Sequence, residues 1–101
     1  MSPSDRRHLE SMRNQLEAHG AGRLDLSGLI SSLEALLGLL EEMPEAWRDA
    51  FREQWGVLEE VYSVAIVREG PIESTENSAL IAPALEQLRA MIDDALRTGV
   101  V

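Results

Sequence analysis

Carboxylate side chains are the residues of this chain best suited to chemistry, and they are concentrated between Glu34 and Glu60. This stretch holds eight acids against two bases, Arg48 and Arg52. Four of the acids stand at helical spacing: Glu45, Asp49, Glu53 and Glu60. Like charges four residues apart on a helix repel by about 0.2–0.5 kcal/mol per pair. The pattern is typical either of a solvated helix face or of a docking surface for a cationic partner.

Other chemistry finds little support in the sequence. There is no cysteine, which excludes disulfides, thiolate nucleophiles and cysteine-ligated metal sites. His8 and His19 belong to one predicted helix, roughly 16 Å apart along its axis, so they cannot share a metal ion there. No nucleophile elbow and no glycine-rich phosphate loop occurs. We therefore predict a protein that is not an enzyme, with no catalytic residues, no cofactor and no metal site.

The net charge bears on the choice of partner. The chain carries a formal charge of -9, with nine basic residues that are all arginine. This charge repels nucleic acid and anionic membranes and attracts basic proteins, although it also serves solubility alone. The longest apolar stretch, from Leu33 to Leu40, contains Glu34 and is far shorter than the roughly 20 residues of a membrane span. We expect a cytoplasmic protein that binds neither nucleic acid nor membrane.

Turn and cap residues divide the chain into four predicted helices, at about 3–19, 26–42, 44–68 and 78–98. Asp25 is a good N-cap for the second helix, and Pro44 is suited to open the third. Pro83 either falls within the first turns of the fourth helix or separates a short turn from it. No segment alternates as a strand does. The sequence predicts one all-α domain, 1–101, folded as a compact antiparallel four-helix bundle with short loops.

The third predicted helix has an unusually wide apolar arc, roughly 200° at 100° per residue. It carries all four aromatic residues of the chain. Two interpretations stay open. Neighbouring helices cover both edges of the arc, which makes this the central helix of the core. Alternatively one edge, with Trp55 and Ile66, stays exposed and contacts a partner, since tryptophan is favoured at interface hot spots.

Three segments carry a resemblance to known proteins: Leu33–Leu37, Met43–Arg48 and Trp55–Tyr62. Together with the spacing of Trp47, Phe51 and Trp55, they resemble a group of small uncharacterised bacterial proteins, over roughly residues 23 to 68. The acidity and the opening layout of two helices around residues 22–26 are similar to small helical immunity proteins that neutralise toxins, the colicin D type among them. That resemblance implies acidic side chains that occupy a basic active site, commonly a nuclease's. No residue of those proteins can be matched to a position here.

The leading hypothesis is a non-catalytic protein-binding module, of the immunity-protein type, that neutralises a basic toxin or nuclease. Glu45, Asp49, Glu53 and Glu60 would steer and pair with a basic protein partner, and Trp55 would be the hot spot. The alternative is a structural protein that buries the wide apolar arc in a homodimer and needs no foreign partner.

Overall fold

The computed structural model describes residues 2–67 and 75–98, with side chains from 77 onward in the second range. Over this part the chain forms four helices and no strand: α1 (Pro3–Gly20), α2 (Leu26–Leu39), α3 (Glu45–Val67) and α4 (Thr75–Thr98). The prediction of an all-α four-helix fold is confirmed. The predicted end of the third helix at 68 lies outside the described residues. None of the four helices is long and apolar enough to cross a membrane.

The first two helices begin and end at cap residues that the sequence makes recognisable. Ser2 caps α1 by accepting a hydrogen bond from the Asp5 N–H at 3.0 Å, and Asp25 caps α2 by accepting from the Gly28 N–H at 2.7 Å. Gly22, in the connection between them, has a φ of 79°, the left-handed conformation that favours glycine. A Cβ on Gly28 would lie 2.7 Å from Leu24 Cδ1, so packing explains that glycine.

The second helix ends at Leu39, three residues earlier than predicted, because the chain turns extended at Leu40. Backbone carbonyl groups after the last turn of α2 have no partner within the helix and need hydrogen-bond donors. Arg48, in the first turns of α3, donates to two of them. Its guanidinium donates to the Leu40 carbonyl, and its Nε donates to the Met43 carbonyl at 3.3 Å. One arginine therefore fastens the start of α3 to the end of α2.

Each helix contacts two others, so that the order around the bundle follows the order along the chain and α4 closes onto α1. The Trp55 indole N–H donates to the Ile30 carbonyl at 2.9 Å, and these residues lie at similar distances from the α2–α3 connection. Ion pairs join Arg13 to Asp93 and Glu17 to Arg89, in opposite order along α1 and α4. These contacts are those expected of antiparallel neighbours; the antiparallel arrangement of the bundle as a whole stays a prediction.

The core is aliphatic with one fully buried aromatic side chain, Phe51. Its largest completely buried members come from all four helices: Leu9, Met12, Leu29, Leu33, Phe51, Leu58, Leu88 and Ile92. Pro83, whose place was open from sequence, lies inside α4, which continues through it. Because Pro83 is exposed, its ring meets solvent on the outside of the bundle and leaves the core undisturbed.

The α3–α4 hairpin extends beyond α1 and α2. Trp55 lies level with Ile30, near the start of α2, yet α3 continues to Val67, which places its last eight residues, about 12 Å of helix, past α2. We call this extension, with the matching start of α4, the tip. Four of the five exposed large hydrophobic side chains of the described residues belong to the tip: Val64, Ile66, Val67 and Leu80.

Candidate functional site

Four predicted site residues lie on the outer surface of α3. Glu45, Asp49, Glu53 and Glu60 are all exposed, and we call them the acidic face. Fifteen residues separate the first from the last, which corresponds to about 22 Å along the helix axis. Side chains spaced in this way share one side of a helix, opposite the buried residues Phe51 and Leu58. The acidic face is therefore long enough to contact several basic side chains of one partner.

The charges of the acidic face are not neutralised within the described part of the chain. Every ion pair there joins residues of α1 or α4, and none includes an acid of α2 or α3. The two nearby arginines do little to compensate. Arg48 donates to the backbone carbonyls of Leu40 and Met43 in the α2–α3 connection, and Arg52 makes no ion pair with a described residue. The acidic face thus presents carboxylates whose charge is open to an external cation.

Trp55 lies on a different side of the same helix. It is half-buried and packs against the core, and its indole N–H is bonded to the Ile30 carbonyl of α2. At 100° per residue, Trp55 is roughly 160° around the helix from Glu53, so the structure does not bring it together with the acidic face. Its role as a hot spot stays a prediction, and its observed contact is one that holds α3 against α2.

The wide apolar arc of α3 is mostly covered by neighbouring helices. Its centre is buried, at Phe51, Leu58, Val61 and Ala65. Trp47 stacks on Phe51 with ring centroids 5.2 Å apart and an interplanar angle of 24°. Ile66, which the sequence groups with Trp55, is 52% exposed because it lies on the tip, beyond α2. Most of the arc therefore serves the core, and only its far end is available to a second molecule.

A glycine lies in the middle of the acidic face. Gly56 follows Glu53 by three residues and precedes Glu60 by four, so both carboxylates flank it on the helix surface. A Cβ built on Gly56 would meet no atom within 4 Å. Ser63, one heptad further along the same line, is also small and exposed. Gly56 therefore lies between two exposed carboxylates of the acidic face, and Ser63 lies beyond the last of them.

Asp5 is a functional candidate that the sequence reasoning missed. It is fully buried, and its carboxylate accepts hydrogen bonds from the backbone N–H groups of Glu41 at 2.9 Å and Glu42 at 2.7 Å. Burial by itself raises the pKa of Asp5. The N–H donors of Glu41 and Glu42, with Ser2 and the nearby His8, outweigh burial and hold the pKa below its usual value. Asp5 therefore stays charged and fixes the α2–α3 connection to α1.

A signal for this role was present in the sequence. Asp5 continues the apolar spacing of Leu9, Met12 and Leu16, so it occupies a core position of α1. An acid at such a position needs buried donors, which the α2–α3 connection provides. Because that connection leads directly into Glu45, Asp5 helps to set where the acidic face begins.

A polar cleft of about 460 Å³ lies between α1 and α4. Its charged lining consists of Arg6, Arg13, Glu17, Arg89, Asp93 and Arg97. Four of these groups are paired with one another: Arg89 lies 3.3 Å from Glu17 and 3.9 Å from Asp93, and Arg13 lies 3.8 Å from Asp93. Arg6 and Arg97 pair with acids of their own helices, Glu10 and Asp94. The cleft is therefore best explained as an exposed ion-pair network that joins α1 to α4.

No cluster of three or more potential metal ligands occurs among the residues that the structure describes. Comparison of the chain with protein-family models, curated proteins and solved structures gives no significant match. The candidate site in the described part of the chain is therefore the acidic face of α3.

Proposed function

We propose that this chain is a non-catalytic protein-binding module that docks a basic protein on the acidic face of α3. One observation carries the proposal. Four acids of α1 and α4, Glu10, Glu17, Asp93 and Asp94, are paired with arginines, whereas the acids of the acidic face are exposed and have no ion-pair partner among the described residues. A surface that holds like charges in line destabilises its own helix, and a cationic partner would remove that repulsion.

The resemblance to small helical immunity proteins narrows the proposed partner. The partner we propose is a basic bacterial toxin or nuclease, neutralised in the cytoplasm when the acidic face covers its active site. A face about 22 Å long fits such a cleft, which itself concentrates positive charge to bind nucleic acid. Association would be fast and salt-dependent, because charges at a surface act over a Debye length of about 8 Å at physiological ionic strength.

The contact between Trp55 and Ile30 supports a positioning role for Trp55 within this proposal. Its hydrogen bond to α2 and its packing against the core keep α3 at a fixed angle. A rigid, preorganised helix loses little conformational freedom on binding, which favours affinity. The Asp5 contact with Glu41 and Glu42 acts in the same way at the start of α3.

A charge-reversal experiment tests the proposal. The immobilised chain is exposed to a lysate of its host at low and at physiological ionic strength, and bound proteins are identified by mass spectrometry. We expect a basic protein whose capture weakens with salt and is lost with the double variant Glu45→Arg/Asp49→Arg. The matched control is Glu86→Arg/Asp94→Arg, which changes the net charge equally on exposed positions of α4. Equal capture by both variants, or equal loss from both, would refute a specific acidic docking face.

The tip supports a second candidate, a homodimer without a foreign partner. Val67 is 82% exposed and Leu80 is 55% exposed, an unusual concentration of apolar surface at one end of a small bundle. Light scattering across a range of concentrations separates the candidates. A dimer that becomes monomeric with Ile66→Glu/Leu80→Glu would favour the structural role, and a monomer at every concentration would exclude an obligate dimer.

A further inference from the structure

We draw no further inference here: the strongest candidate, the apolar surface of the tip with the exposed side chains of Val64, Ile66, Val67 and Leu80, carries none, because nothing in the described part of the chain shows what covers it.

Discussion

The carboxylate of Asp5 accepts a hydrogen bond from the backbone N–H of Glu42 at 2.7 Å, across 37 positions of sequence. The neighbouring N–H of Glu41 donates to its other oxygen at 2.9 Å. A charged acceptor in a buried site forms stronger hydrogen bonds than a neutral one. This single side chain therefore joins the start of α1 to the turn from which α3 and its acidic face emerge.

Asp5→Asn should destabilise the chain by about 1.5–3 kcal/mol, the range for hydrogen bonds to a charged group. The amide keeps the shape of the carboxylate, but its NH2 group would face an N–H donor of the turn. Urea unfolding followed by circular dichroism measures the change. Asp94→Asn, at an exposed position on α4, is the control and should change stability by less than about 0.5 kcal/mol. Equal effects of the two variants would contradict the role given to Asp5.

The contribution of Asp5 should depend on pH in a defined direction. Its pKa in the fold lies below the ordinary value of 3.8, so its stabilisation is complete above that value and is lost as pH falls through the lower, folded pKa. The difference in unfolding free energy between the unmodified chain and Asp5→Asn should be constant from pH 7 to about 5 and should shrink below about 4. A difference that grows on acidification would show that Asp5 is protonated in the fold.

Trp55→Phe should lower the unfolding free energy by about 1 kcal/mol, because the Ile30 carbonyl loses the indole donor while the ring packing is largely kept. Thermal and denaturant unfolding measure this loss. Trp47→Phe is the comparison, since the Trp47 indole makes no hydrogen bond to a described residue and contributes through stacking on Phe51. If Trp55→Phe keeps full stability but abolishes partner binding, Trp55 is a contact residue and not a positioning one.

Asp49→Lys should stabilise the free chain while it weakens partner binding. The substitution converts two repulsive pairs, with Glu45 and Glu53, into attractive ones, worth about 0.5–1 kcal/mol together at low salt. The gain in unfolding free energy should decrease as salt is added. Loss of binding with a gain in stability would identify the charge at this position as functional. A variant that is both more stable and fully competent would indicate a merely solvated face.

Local signals in the sequence predict where helices form. They do not predict which parts of each helix are covered by its neighbours. The cap at Asp25 correctly predicts where α2 begins, and Pro44 lies one residue before the start of α3 at Glu45. The predicted end of α2 at 42 is wrong because residues 40–42 bond to distant side chains instead of continuing the helix: the Leu40 carbonyl accepts from Arg48, and the N–H groups of Glu41 and Glu42 donate to Asp5. Such a contact depends on tertiary packing, which periodicity does not report.

The candidate site shows the same division. Spacing alone places Glu45, Asp49, Glu53 and Glu60 on one surface, because helix geometry determines it. Whether Trp55 is exposed depends on the length of α2 and on where its carbonyls lie, and neither follows from the residues of α3. An acid three residues after a serine is typical of an ordinary exposed helix start, so the sequence did not single out Asp5. Its spacing with Leu9 and Met12 nevertheless indicates a buried position.

The extension of α3 and α4 past their shorter neighbours affects which parts of the chain open locally. Helix segments packed against one neighbour open more readily than those packed against two. Backbone amides from about residue 60 to 67 should therefore exchange with deuterium faster than those around Phe51 and Leu58, although both belong to one continuous helix. Hydrogen exchange would then divide α3 into two parts. Amides from Glu45 to Gly56 would exchange slowly, those near Val67 would exchange fast, and Glu60 would lie at the boundary.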